Sequence, residues 1–138
     1  MLVGVGSDAA IRRAALVDGW VAGGGRPDAF AAGAGRVRAA WSTAGRDGRP
    51  RLVALAYGSL LGGSEAAQAV LGSYYGFAGQ LAHRVVEGTS TTPASLRSTV
   101  GAFEKAGYDE LLLFACSADQ AESDLVADSL GLSASGTV

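Results

Sequence analysis

Three stretches of this 138-residue chain place side chains where chemistry can use them. Gly6-Ser7-Asp8 separates a short apolar run from a helix-forming stretch, and the free amides of a helix N-terminus attract an anion such as a phosphate. The same residues also read as a tight turn with Ser7 or Asp8 as the cap, and the Asp8 carboxylate opposes a bound anion. Trp20, Tyr57 and Ser59 fall at or near the ends of apolar runs. Trp20 serves there either as core packing or as a ligand contact, Tyr57 either as a hydroxyl donor to a ligand or as a core tyrosine, and Ser59 as a small polar contact. Cys116 closes the last apolar run just before a helix start, a placement that favours the thiolate. With no histidine near it in sequence it forms no nucleophilic pair, and it reads equally well as a small apolar residue.

Other chemistry-bearing residues are sparse. Tyr74, Tyr75 and Phe77 form an aromatic cluster suited to packing, to a subunit interface or to lining a substrate site. His83 is the single histidine. It stands beside Arg84 in a helical stretch, away from any strand end, and reads as a solvated residue before it reads as a general base. No cluster of His, Cys and carboxylates has the spacing of a metal site, so no metal is expected.

The elements that position these residues alternate. Residues 2–5 form a strand and 9–16 a helix; residues 19–22 form a second strand, and Pro27 opens a helix carrying Phe30, Val37 and Trp41 at helical spacing. Residues 46–50 are a turn by composition, and the nearly continuous apolar run 52–57 is a third strand buried on both faces. Leu71, Tyr75, Ala78 and Leu81 predict one long helix over 65–86. Thr92-Pro93 starts another that runs to Lys105, with the hydroxyl as cap. Residues 111–115 are the fourth strand, and Ser117 with Gln120 is a capping-box pattern for a last helix ending near Leu130. Strand-then-helix repeats imply a parallel sheet with right-handed crossovers. A dinucleotide fingerprint is missing, because Gly4-Val5-Gly6 is followed by Ala9 where the motif needs glycine.

Composition narrows the function classes. Apolar residues make up 49% and charged residues 17%, a globular balance. The net charge of −2 excludes a strongly basic nucleic-acid surface. The single cysteine excludes an internal disulfide and points to a reducing cytoplasm. The start lacks a charged n-region and a long apolar h-region, and no apolar run is long enough to cross a bilayer, so a soluble intracellular protein without a membrane partner is expected. Residues 1–132 are expected to form one domain and 133–138 a flexible tail.

Several stretches, in order and spacing, resemble the luciferase-like family of flavin- and deazaflavin-dependent oxidoreductases. They are Leu2-Val3-Gly4-Val5-Gly6-Ser7, Ile11-Arg12-Arg13-Ala14-Ala15, Asp18-Gly19-Trp20-Val21-Ala22, residues 48–57, Tyr74-Tyr75-Gly76-Phe77, Thr91-Thr92-Pro93 and residues 106–114 with Cys116-Ser117-Ala118-Asp119. The likeness runs over about residues 2–131 and matches the C-terminal half of the family. It implies an α/β fold, a parallel (β/α)4 half-barrel related to the (β/α)8 luciferase-like barrel. It also implies FMN or a deazaflavin coenzyme, with Gly6, Ser7, Asp8 and Trp20 on the cofactor side and Tyr57, Ser59 and Cys116 facing a small-molecule substrate.

The resemblance implies a truncated or divided oxidoreductase, monooxygenase-like in chemistry, that needs a second chain to complete its site. The alternatives are a cofactor-free cyclase or isomerase, and a non-catalytic ligand-binding subunit, since no convincing acid–base pair is present. Four strands in the order of the chain leave 2–5 and 111–115 at opposite edges. Both are apolar and without the lysines or prolines that blunt exposed strands. A homodimer that joins these edges is expected, or a separate chain carrying an N-terminal half-barrel.

Overall fold

The computed structural model describes residues 1–4 and 6–132. Its one sheet has four strands, β1 (Leu2–Gly4), β2 (Gly19–Val21), β3 (Arg51–Gly58) and β4 (Glu110–Ala115), in the order β1-β2-β3-β4. β1 pairs with β2 and β2 with β3 in parallel. At β4, the Asp109 N–H donates to Leu52 O at 2.8 Å and the Cys116 N–H to Gly58 O at 2.9 Å. Residue numbers rise together along β3 and β4, which is again the parallel sense. The expected fold class, α/β with four parallel strands, is what the chain adopts. Val5 and residues 133–138, where a flexible tail is expected, lie outside the described residues.

Tertiary contacts divide the chain into two compact units, Met1–Ala56 with Ala102–Leu112, and Tyr57–Gly101 with the residues from Leu113 onward. In the first unit, α1 (Asp8–Ala14) buries Ala10, Ile11 and Ala14. Ser7 is its cap, accepting from the Ala10 N–H at 3.2 Å. Helix α2 (Pro27–Thr43) has proline at its start, as its sequence requires, and buries Phe30, Ala34, Val37 and Trp41. Trp20 stacks on Phe30 with ring centroids 5.8 Å apart, and Phe103 meets Phe30 edge-on at 5.7 Å. This packing is close: a Cβ added at Gly33 would lie 2.4 Å from the Trp20 ring. The Trp41 indole donates to Asp47 O at 3.2 Å, and the Arg46 guanidinium covers its ring at 3.8 Å.

The second unit departs from the sequence reading. The single helix expected over 65–86 is two, α3 (Gly63–Tyr74) and α4 (Gln80–Glu87), joined through a short 3-10 turn at Gly76–Ala78. Gly79, at φ 55°, starts α4 in a conformation that residues with a Cβ rarely adopt, and the helical spacing of apolar residues continues across the break. This pair of helices is an excursion closed at its base. Gly58 and Ser90 form a parallel bridge, the Ser59 N–H donates to Ser90 O at 2.8 Å, and the Ser90 N–H donates to Tyr57 O at 3.0 Å. The connection onward to β4 is α5 (Pro93–Ala106), whose Thr92 hydroxyl accepts from the Ser95 N–H at 3.1 Å. Ala67, Leu71, Val85 and Cys116 form the core of this unit, with Tyr57, Tyr75 and Val86 against it.

The last helix, α6 (Gln120–Ser129), also starts differently from expectation. Asp119 is its cap, accepting from the Ala121 N–H at 3.0 Å. Ser117 instead accepts from the Asp119 N–H one turn earlier. The capping-box pattern is therefore displaced by two residues: the Ser117 hydroxyl turns the chain into Asp119, which starts the helix.

Candidate functional site

The C-terminal ends of β3 and β4 carry the most distinctive chemistry of the second unit. The Tyr57 and Tyr75 hydroxyls lie 2.6 Å apart and share one hydrogen bond. Tyr57 belongs to β3, and Tyr75 follows α3, so the closed excursion is what brings the second phenol to the strand end. Burial, and after it the bond to Tyr75, pushes the Tyr57 phenol well above its ordinary value, which keeps that hydroxyl protonated at neutral pH. Tyr74 meets Tyr75 edge-on at 4.9 Å, and Phe114 tilts against Tyr57 at 5.9 Å. Tyr74 is 70% exposed and Phe114 48%, so these rings form a face, not a core.

Beneath that face the loop after β3 is tied down internally. Glu122 is fully buried, and its two oxygens accept from the Leu60 N–H at 2.6 Å and the Leu61 N–H at 2.7 Å. Paired loop amides of this kind can hold an anion, and here the anion is the protein's own carboxylate. Nothing in the sequence marks Glu122, one of three acids between 119 and 124, as different from its neighbours. Ser59 is buried too and donates its hydroxyl to Gly63 O at 2.8 Å.

Cys116 is 6% exposed within the core. Three residues separate it from α6, so it does not sit directly at a helix start. Burial, and after it the Glu122 charge, pushes its thiol up, which disfavours the thiolate that the sequence suggested. His83 is exposed and lines an open cleft of about 450 Å³ between α3 and α4, with Gln68, Gln80 and Val86. A second, apolar cleft of about 230 Å³ lies between β4 and α6, lined by Gly58, Leu113, Ala115, Val126 and Leu130 among others.

In the first unit, Gly6-Ser7-Asp8 is organised by its own side chains. Arg36, which the sequence reading passed over, pairs with the Asp8 carboxylate and also donates to Gly6 O at 3.1 Å. The Ser7 hydroxyl is committed to its cap. Trp20 is 4% exposed, packed on Phe30 and α2. The structure thus brings Gly6, Ser7 and Asp8 together in one loop, with Trp20 in the core of the same unit. Tyr57, Ser59 and Cys116 gather near the ends of β3 and β4. Tyr75 and Phe114 join Tyr57 without having been singled out for it. Among the described residues no group of three or more His, Cys, Asp or Glu side chains has metal-binding geometry, and no helix is long and apolar enough to cross a membrane.

No protein-family model matches the chain, and no curated protein matches it. Solved structures do. An F420-dependent secondary alcohol dehydrogenase in complex with an F420-acetone adduct superposes with a TM-score of 0.68 at 12% identity, over 91% of this chain and 45% of that one. MsnO8 in its apo form gives 0.63 at 16% identity, over 96% and 51%. The coenzyme F420 dependent tetrahydromethanopterin reductase from Methanopyrus kandleri gives 0.60 at 12% identity, over 91% and 48%. The chain therefore spans about half the length of the structures it matches, and at these identities what it shares with them is the fold.

Proposed function

We propose that this chain is one half of a luciferase-like oxidoreductase site, which takes a deazaflavin or flavin coenzyme together with a second chain. One observation carries the reading: a chain matched over more than nine-tenths of its length to two F420-dependent enzymes, yet covering about half of each. The coenzyme, when bound, supplies hydride or oxygen chemistry. The chain's own residues supply binding and water exclusion. Gly6, with open space beside it, and the Arg36 guanidinium suit the phosphate end of such a coenzyme. Ser7 and Asp8 shape that loop by capping α1 and holding Arg36. For the ring the fit is incomplete, because Trp20 is committed to the core, and the remaining contacts fall to a second chain. On the substrate side Tyr57 presents the hydroxyl, while Ser59 and Cys116 are buried and shape that end of the strands from within.

The second chain is a second copy in this reading. β1 and β4 are the sheet edges; β4 leaves Leu112 38% exposed, and Phe114, 48% exposed, lines the apolar cleft against α6. Unpaired, apolar strand edges recruit a partner strand. A separately made N-terminal half-barrel is the other way to complete the site, and a reducing cytoplasm suits its free cysteine.

Titration of the purified protein with F420 and with FMN, followed by absorption and fluorescence, tests the cofactor. Saturable binding of one of them is expected, and no binding of either overturns the reading. Light scattering tests the partner: a particle of about twice 13.8 kDa is expected, and a stable monomer overturns the second copy. The burial of Trp20 favours one rival, a cofactor-free cyclase or isomerase, or a ligand-binding subunit, that uses the tyrosine face without a coenzyme. Stoichiometric coenzyme in the purified protein excludes that rival.

A further inference from the structure

The Tyr57–Tyr75 contact holds two phenols and one hydrogen bond. Whichever oxygen donates, one phenolic proton remains, and among the described residues neither hydroxyl has another partner. A hydroxyl that already accepts a hydrogen bond is a stronger donor in turn. Tyr57 and Tyr75 are both partly buried, so the leftover proton sits at the edge of an aromatic surface. With one phenolic proton left over after the shared bond, the pair gives a hydrogen bond to an acceptor.

The surroundings set the class of acceptor. The side chains packed around the pair are Tyr74, Phe114 and the apolar core of Ala67, Leu71, Val85 and Cys116, none of them cationic, so a carboxylate or phosphate brought to the pair meets no counter-charge from them. Tyr74 and Phe114 stand on either side with much of their rings exposed, and flat apolar surface of that kind stacks planar rings. We propose that the Tyr57–Tyr75 hydroxyl pair, flanked by Tyr74 and Phe114, is a binding site for an uncharged planar aromatic compound that bears a carbonyl group. The pair donates to the carbonyl oxygen, and the two flanking rings take the aromatic plane. This inference does not need the coenzyme reading, since every contact comes from this chain.

The test is calorimetric titration of the whole chain, in its native assembly, with three bicyclic probes of one shape: acetylnaphthalene, ethylnaphthalene and naphthoate. Acetylnaphthalene is expected to bind saturably and tightest. Tyr75→Phe is expected to weaken it about 5–10-fold, the loss of one neutral hydrogen bond, and to leave ethylnaphthalene unchanged. Tyr74→Phe, which keeps the ring, is expected to leave all three unchanged. Equal binding of acetyl and ethyl probes, tighter binding of naphthoate, or an equal loss for both neutral probes in Tyr75→Phe overturns the proposal. Tyr57→Phe repeats the measurement from the other phenol, so a misfolded single variant does not decide it. A flavin ring is itself of this class, so lumiflavin is a separate arm. Tyr75-dependent binding of lumiflavin alone assigns the pair to a coenzyme ring, Tyr75-dependent binding of acetylnaphthalene alone assigns it to a substrate, and either upholds the class.

Discussion

Trp20, Phe30 and Phe103 in the first unit and Tyr57, Tyr74, Tyr75 and Phe114 in the second are aromatic clusters with ring spacings of the same order, between 4.9 and 6.3 Å. Their surroundings differ. The first cluster is 1–4% exposed and backed by a glycine whose hydrogen faces the Trp20 ring. The second has rings 48% and 70% exposed, with two hydroxyls that satisfy each other only in part. Aromatic density alone therefore does not separate core from site. Separation comes from whether the polar tips are fully partnered and whether the faces are covered. The second unit adds to its apolar core a polar tie that the first cluster lacks, the buried Glu122 holding two loop amides.

Substitutions test this contrast. Phe103→Ala is expected to cost about 4 kcal/mol of stability in urea denaturation, and Phe114→Ala less than about 1 kcal/mol; similar losses would erase the distinction between the clusters. Glu122→Ala leaves two loop N–H groups without their acceptor and is expected to cost about 2 kcal/mol, with Glu122→Gln intermediate because it keeps one acceptor. Hydrogen exchange at Leu60 and Leu61 reads that loss directly, and unchanged protection there would show that the loop does not depend on the carboxylate. Gly33→Ala pushes a methyl into Trp20 and is expected to cost about 2 kcal/mol with a changed tryptophan emission. A silent Gly33→Ala would mean that the first cluster is looser than its spacing implies.

A smaller effect, and one that depends on pH, belongs to Asp109. Burial pushes its carboxyl up, but the Leu52 N–H and the Arg49 guanidinium together outweigh burial and hold it below its ordinary 3.8. A carboxyl lowered on folding adds stability that is present above the unfolded value and fades as pH falls through the folded one. Asp109→Asn is expected to cost about 1 kcal/mol at neutral pH and to flatten the acid side of the stability profile below about pH 4. An unchanged acid limb would assign acid unfolding to other carboxylates.

Much of the fold is legible in the sequence, for reasons that stay local. Ser7 before an apolar helix, Pro27 at a helix start and Thr92-Pro93 each fix a boundary through one hydrogen bond or one fixed dihedral. The apolar run at 52–57 needs both faces buried, which a parallel sheet supplies. The break between α3 and α4 is less legible, because Leu71, Tyr75, Ala78 and Leu81 keep helical spacing across it, although Gly72, Gly76 and Gly79 in close succession are a signal of a break. Of the candidate site, Tyr57 is readable from its strand end. Its partnership with Tyr75 and the role of Glu122 are not, since they depend on contacts 18 and 62 residues apart. The Cys116 environment reverses for the same reason: Glu122 and the burial around the thiol are set by tertiary packing, not by the neighbouring residues.

The closed base at Ser59 and Ser90 has a further consequence for inheritance. An insertion whose ends already meet behaves as a cassette. Its helices carry Ala67, Leu71 and Val85 into the core of the unit, so a replacement has to keep those contacts but needs no register change in β3. Tyr75 rides on that cassette, whereas Tyr57 is fixed in the sheet. One half of the hydroxyl pair is therefore free to be exchanged by recombination while the other is held constant. If the pair is a binding site, what it recognises can change by exchange of that one segment, with the strands that carry it untouched.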